Sequence, residues 1–321
     1  MSKIAGIGHA LIDIFVNLDD EGLLKKYGFA KGSQEHVDQS VFDSIYQELN
    51  TESARFVPGG SASNVLHPLA SMGYEATFLG ALGHDEWASL FEQDLQQAGV
   101  SFAPVRKEGA TGRVLHLITP DGEKTVVGYT GVNEQLTKAD LDEWDLSDHT
   151  HLVVDGFLAP REDFLEDFLQ REDLQQAQVL FDMASSHIAE GYREFLKRLL
   201  KTHVDMVFAN DLEAFSYTGN EPERGIRSIA KDCEVVVIKQ GEKGALIQRG
   251  NEFYTIAAAP SGPHDTTGAG DLYMAGFLYG WLKNYHLTHC GKVASFVASK
   301  ILEVEGARLS VQQWKEIQQM I

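Results

Sequence analysis

Val179-Leu180-Phe181-Asp182, then Phe195-Leu196 and Leu199-Leu200, then Met206-Val207-Phe208-Ala209, form the stretch on which the fold class turns. Two short, almost wholly apolar runs flank a segment whose apolar residues recur at i, i+3 and i+4. The runs read as strands covered on both faces, and the segment between them as an amphipathic helix. The same alternation extends outward. Ile4–Gly8, Thr77–Leu82, Leu152–Asp155 and Val235–Ile238 read as further strands. Trp87, Leu90, Phe91 and Leu95, and Phe164, Leu165, Phe168 and Leu169, mark further helices. Strand–helix alternation of this kind predicts an α/β fold with a mostly parallel central sheet and right-handed crossovers.

Two stretches depart from it. Arg113–Thr119 and Lys124–Thr130 are β-rich and joined by Thr119-Pro120-Asp121-Gly122-Glu123, a hairpin signal. Phe15–Asp38 reads as extended and turn-rich. Together they predict a small antiparallel β-sheet inserted into the α/β body. A lid formed discontinuously by residues 14–38 and 111–131 is the expectation, within a single domain over residues 1–321. No repeat or low-complexity linker interrupts the chain.

The 321 residues carry 27 basic and 47 acidic side chains, for a net charge of −20. Hydrophobic residues make up 43% of the chain, which suffices for a packed core and excludes a disordered polymer. The charge argues against nucleic acid and anionic membranes as partners. Any phosphate chemistry must be built locally. Cys233 and Cys290 match no disulfide or zinc spacing. The N-terminus lacks a signal-peptide pattern, and no apolar run approaches the ~20 residues of a membrane span. A cytoplasmic location is expected.

The most specific segment is His264-Asp265-Thr266-Thr267-Gly268-Ala269-Gly270-Asp271, with a helix following at once. Unobstructed N–H groups of Gly268, Ala269 and Gly270 at a helix N-terminus make an anion site. Asp271 then borders the bound anion, an unfavourable place for a carboxylate unless it acts as a general base toward an attacking hydroxyl. The plainer reading is a helix-capping Asp after a glycine turn.

Asp265–Asp271 resembles the C-terminal signature of the ribokinase-like (PfkB) carbohydrate kinase family. Pro58-Gly59-Gly60-Ser61-Ala62-Ser63-Asn64, with Gly73 and Gly80-Ala81-Leu82-Gly83-His84-Asp85, resembles its N-terminal signature. The likeness runs over essentially the whole chain. Gly6–Asp13, Gly276–Gly280 and Gly306-Ala307-Arg308-Leu309 look like adenosine-kinase-like bacterial members.

The resemblance implies a three-layer ribokinase-like fold and an ATP- and Mg²⁺-dependent transfer to a primary hydroxyl of a sugar or nucleoside. It makes Asp271 the catalytic base and the Gly268, Ala269 and Gly270 backbone the anion hole. Asp13, Gly59, Gly60 and Asn64 become the acceptor pocket. Asn210-Asp211-Leu212-Glu213 matches the family's Asn-x-x-Glu element, with Asn210 at the nucleotide and Glu213 holding Mg²⁺ through water. The same spacing is also that of a helix capping box. Lys239-Gln240-Gly241-Glu242-Lys243-Gly244 resembles the turn beneath the ATP phosphates: Gly241 and Gly244 fit it, and Lys239 stands where many relatives carry Thr or Ser. Ser295 takes a place often held by an Asn in the adenine pocket. Asp265 and Thr267 sit where relatives bind a monovalent cation such as K⁺.

The acceptor stays open among a nucleoside, which the adenosine-kinase-like segments favour, ribose, fructose and a keto-deoxy acid. Phe15, Phe29 and Tyr129 are candidates to line a base, and Arg113 to meet the carboxylate of a keto-deoxy acid. A monomer and a lid-paired dimer are both compatible with the architecture. A catalytically silent relative is the non-enzyme alternative, although it would be expected to have lost Asp271 or the anion-hole glycines, which are present. No P-loop occurs, and Leu11 stands where a dinucleotide-binding turn needs its third glycine.

Overall fold

The computed structural model describes residues 2–102, 105–142, 144–260, 267–302 and 308–321. Nine strands form one sheet, in the spatial order Glu252–Ile256, Ala245–Arg249, Val235–Lys239, Met206–Asn210, Gln178–Asp182, His151–Asp155, Lys3–Ile7, Glu75–Leu79 and Val100–Phe102. The seven from Val235–Lys239 onward pair in parallel, and the first two close one edge as an antiparallel hairpin.

The apolar runs are continuous because each face of the sheet is covered. Val235, Val237, Met206 and Phe208 join the core cluster beneath the Ser61–Ser71, Ala269–Leu282 and Leu287–Ile301 helices. The intervening Val236, Ile238, Val207 and Ala209 enter a second cluster with Phe195, Leu196, Leu199 and Leu200 of the Arg193–His203 helix. That alternation makes three layers, as the sequence predicts.

A second sheet stands apart: Gln34–His36, Lys124–Tyr129, Gly112–Ile118, Leu11–Asn17 and Arg55–Gly59, in that order. The expected hairpin forms, with Lys124 opposite Ile118, but the sheet is mixed rather than antiparallel, because Leu11–Asn17 runs parallel to Gly112–Ile118 and Gln34–His36 parallel to Lys124–Tyr129. The extended reading of Phe15–Asp38 needs correction, because Gly22–Tyr27 is helical. Leu24 is buried there, and Gly28, left-handed at φ 73°, caps the helix by donating to the carbonyls of Leu24 and Lys25.

The Ala269–Leu282 helix is buried along Leu272–Gly280, so its sequence shows almost no polar face. It crosses the Leu287–Ile301 helix closely at Gly276, where a Cβ would lie 2.8 Å from Ala294 Cα and 2.9 Å from Val297 Cβ. This crossing sets where the helix N-terminus, and hence Asp271, stands relative to the sheet. Gly276→Leu should therefore destabilise the protein by about 1–3 kcal/mol in urea denaturation. Gly191→Ala, where a Cβ meets open space, should be neutral or slightly stabilising. Equal effects of the two substitutions would show that the crossing is not tight.

Candidate active site

Four of the parallel strands end in polar residues at neighbouring positions of the sheet's carboxyl edge: Asp155, Asp182, Asn210 and Lys239. Register places Asp155 beside Asp182 and Asn210 beside Lys239. The carboxyl edge of a parallel sheet is where α/β folds gather ligands. The Lys239 ammonium lies 3.1 Å from Asp182 Oδ1, and both side chains are largely buried. A Cβ on Gly270 would meet Lys239 Nζ at 2.9 Å, so the ammonium rests against the glycine turn that opens the Ala269–Leu282 helix. Gly268, at φ 72°, occupies the helix N-cap in the left-handed region without any side-chain cap, leaving its first-turn amides to other partners.

Asp271 stands in the first turn of that helix. Its Oδ2 accepts a 2.7 Å hydrogen bond from Asn64 Nδ2. Burial, then the Asp182 charge, push its pKa well above the usual carboxylate range, against the pull of Asn64 and Lys239. Asp155, buried and accepting from the His9 and Phe157 amides, is raised to about 6, chiefly by burial. Burial also opposes the Lys239 charge, but Asp182, Glu213 and Asp271 outweigh it and raise its pKa. One cation thus serves several carboxylates.

Asn210 and Glu213 close a capping box. Asn210 Oδ1 accepts from the Glu213 amide, while Glu213 Oε2 and Oε1 accept from the Asn210 backbone and side-chain nitrogens at 2.7 Å. Burial raises the Glu213 pKa, with Lys239 pulling it back. Gly241 and Gly244 form the tight turn after Lys239, where the Gln240 amide donates to the Gly244 carbonyl at 2.8 Å. Ser295 is buried in the Leu287–Ile301 helix.

The small sheet brings a second group of residues. Asp13 Oδ1 lies 2.7 Å from His116 Nε2, and the His116 ring stacks on Phe15 at 4.3 Å. A Cβ on Gly59 would lie 2.1 Å from Asp13 Oδ2, so only glycine admits the carboxylate there. Gly60 adopts φ 97° with its α-carbon turned toward the His9 carbonyl, a conformation that excludes a side chain. Lys124, on the same face of the sheet as His116 by alternation, reaches the Thr267 hydroxyl. Asp265 lies outside the described residues.

Of the candidate aromatics, Phe15 alone shares the Asp13 face, and it is already flanked by His116 and the Arg55 guanidinium. Tyr129 packs near Phe42, and Phe29 near Tyr27. Arg113 turns to the core side, bound to Asp43 at 2.9 Å over the Phe42 ring, which corrects its reading as a carboxylate receptor. The sequence reading missed Asp155, Asp182, His116 and Lys124. An aspartate at the carboxyl end of each of two adjacent strand runs was the available signal for the first two.

The sequence profile of the pfkB family of carbohydrate kinases matches residues 36–314. The chain belongs to this family. It is a phosphotransferase. It is similar to an ATP-dependent ribose-1-phosphate kinase of Halopiger xanaduensis, 30% identical over 265 residues that span 81% of this chain and 86% of the relative. An uncharacterized sugar kinase of Archaeoglobus fulgidus is 28% identical over 249 residues, 75% of this chain and 96% of the relative. Among solved structures, an adenosine kinase from Sinorhizobium meliloti superposes with a TM-score of 0.89 at 27% identity, covering 100% of this chain and 99% of that one. No helix among the described residues is long and apolar enough to cross a membrane.

Because Lys239 is shared among buried carboxylates, Lys239→Met should cost about 3 kcal/mol or more where they are ionised. The same carboxylates can take up protons at lower pH and relieve the loss. Urea denaturation should therefore show a larger destabilisation at pH 8.5 than at pH 5.5. A loss independent of pH would contradict the shared-cation arrangement.

Proposed function

We propose that the chain transfers the γ-phosphoryl group of ATP to a primary hydroxyl of a ribosyl acceptor, a nucleoside foremost. The observation that carries this reading is Asp271 in the first turn of a glycine-opened helix, with the Lys239 ammonium against Gly270. That combination offers a proton acceptor and an anion site within one turn of backbone.

In the proposed reaction the acceptor lies against Asp13, Gly59 and Gly60, with its hydroxyl turned to Asp271. The carboxylate takes the hydroxyl proton as the oxygen bonds to the γ-phosphorus and the bond to the ADP oxygen breaks. The Gly268, Ala269 and Gly270 amides, together with Lys239, stabilise the negative charge on the transferring group. The small sheet acts as a lid formed by residues 14–38 and 111–131 on the Arg55–Gly59 edge strand, with the Lys124–Thr267 contact joining it to the phosphoryl end of the site. Closure would exclude water, a competing acceptor.

Among the described residues no three acidic, His or Cys side chains converge as a metal cage. Mg²⁺ suits this donor set as a hydrated ion carried on the nucleotide, where it neutralises phosphate charge, with Glu213 able to reach it through water. Asn210, Gly241, Gly244 and Ser295 complete the proposed nucleotide side. For K⁺, Thr267 would offer its carbonyl, because its hydroxyl is engaged by Lys124. Asn64 serves the acceptor pocket from beside Asp271.

The nucleoside preference rests on the likeness to the Sinorhizobium meliloti adenosine kinase over the full length. It is tested by coupled ADP release across nucleosides, pentoses, ribose 1-phosphate, hexoses and 2-keto-3-deoxygluconate, with nucleosides expected to give the highest kcat/KM. A higher value for any other acceptor would overturn the preference, and no turnover despite ATP binding would favour a silent relative. Asp271→Asn should lower kcat by about 10²–10⁴-fold while leaving ATP affinity similar. Near-normal turnover in that variant would exclude the base role. Asp13→Ala should raise KM for the acceptor and leave KM for ATP unchanged, and an equal rise in both would move Asp13 out of the acceptor pocket.

A further inference from the structure

Asn64 does not end the hydrogen-bond chain that begins at Asp271. Its Oδ1 accepts from Arg308 Nη1, a residue more than 240 positions away that leads into the C-terminal helix. The guanidinium is held on two further sides. Nε donates to Asp94 Oδ2 at 2.8 Å and Nη2 to Ser63 Oγ at 3.0 Å. Asp94 is in turn 3.6 Å from His67 Nε2. The segment is anchored by Leu309, Trp314 and Ile317 in the core, and by Gln318 Nε2 donating to the Met72 carbonyl at 2.9 Å. Three elements, the Ser61–Ser71 helix, the Glu86–Ala98 helix and the C-terminal segment, therefore fix one planar fork.

We infer that Arg308 is a positioning residue for Asp271, acting through Asn64. A primary amide can turn either its oxygen or its nitrogen toward a neighbour, and the two ends are similar in size. Arginine has only donors, so the end of Asn64 that faces Arg308 must be the oxygen. The nitrogen is then committed to Asp271. It can only donate, so Asp271 Oδ2 must present a lone pair. The proton that Asp271 takes from an acceptor hydroxyl goes to Oδ1, and the carboxylate cannot rotate without losing the Asn64 bond. Asp94, by pairing with the guanidinium, keeps the fork aimed. Without Arg308 the amide is free to reverse and turn its oxygen on the carboxylate, which disfavours the ionised form.

The other groups facing Asp271 are Asp155 and Asp182 from their strand ends and Lys239 from the next strand but one, with Glu213 bearing on Lys239. None of these is altered by the Arg308 substitution, which does remove the guanidinium charge and unpair Asp94. The Asn64→Ala background separates that charge effect from the relay, because a shift carried by the relay vanishes there and one carried by charge persists.

This inference rests on Asp271 being the base. The test measures kcat against pH for wild type, Arg308→Met, Asn64→Ala and the double variant, on the best acceptor found by the ADP-release panel. Arg308→Met should lower kcat roughly 10–100-fold, the scale of an outer-shell partner. It should also move the acid limb of the profile upward by about one pH unit. The double variant should be within about twofold of Asn64→Ala alone, because the two residues act in series.

An unmoved acid limb in Arg308→Met, or losses that multiply in the double variant, would overturn the relay. Where Arg308→Met does not accumulate as folded protein, Asp94→Asn, which loosens the fork and leaves the guanidinium present, should shift the limb in the same direction. An unmoved limb there would overturn the relay equally. Asp271→Asn separates the two ideas. If it turns over normally, the base reading fails. If it is inactive while the Arg308 and Asp94 variants keep the wild-type limb, only the relay fails.

Discussion

One ammonium group, that of Lys239, makes the carboxyl edge of the sheet possible. Asp155 and Asp182 end adjacent strands, Glu213 caps a helix beside Asn210, and Asp271 descends from a helix on the other layer. Each is a reasonable local choice, but together they bring four acids, with formal charge −4, within electrostatic reach of one ammonium or of one another. Lys239 reduces that to −3, and the protein deals with the remainder by burial, which raises the proton affinity of Asp155, Glu213 and Asp271. An anion-binding site assembled from acids is contradictory only when every acid is counted as ionised. In the free protein the raised carboxylates hold protons to higher pH, and the backbone amides of the glycine turn stay available to phosphate.

The packing of the helices decides whether that arrangement is reached at all. The anion turn is the first turn of a helix buried along most of its length, so its position is transmitted from the crossing at Gly276. Close approach at glycine recurs at each working point: Gly59 under Asp13, Gly60 against the His9 carbonyl and Gly270 under Lys239. At these points a methyl group would occupy the space that the functional atom now fills. The two signatures therefore act as steric specifications as much as chemical ones, since they state where backbone must meet a carboxylate, a carbonyl or an ammonium.

This explains what was legible in the sequence. The strand runs, the hairpin at Thr119–Glu123, the helix after Gly268 and the motif residues Asp271, Gly59, Gly60 and Asn64 are local patterns, and local patterns are written in consecutive residues. Asp155 and Asp182 were visible as ends of strand runs, but a strand-terminal aspartate has no stated neighbour until the parallel register sets the two side by side. His116 meets Asp13 only because Gly112–Ile118 lies parallel to Leu11–Asn17, a pairing of segments about a hundred residues apart. Arg308 is further still from Asn64. Gly22–Tyr27 was misread for the opposite reason: six residues are too few for helical periodicity to outweigh the turn-rich composition around them.

The charge distribution carries the last step. Residues 134–173 hold 13 acidic and 3 basic side chains, which reads as a solvated flank, yet Asp155 belongs to that segment and stands at the site. Its burial separates it from the flank, because a carboxylate at the end of a covered strand interacts with Asp182 and Asp271 rather than with solvent. Asp271 then faces two opposing demands. Neighbouring acids and burial strengthen it as a proton acceptor, which favours proton removal from a weakly acidic hydroxyl. The same influences reduce the fraction that is ionised and ready to act. Asn64 and Lys239 both favour the ionised form, one by donating to it and the other by its charge. Donor orientation at Asn64 is thus the part of this balance that does not depend on burial, and it is set from outside the site, by the fork of Arg308.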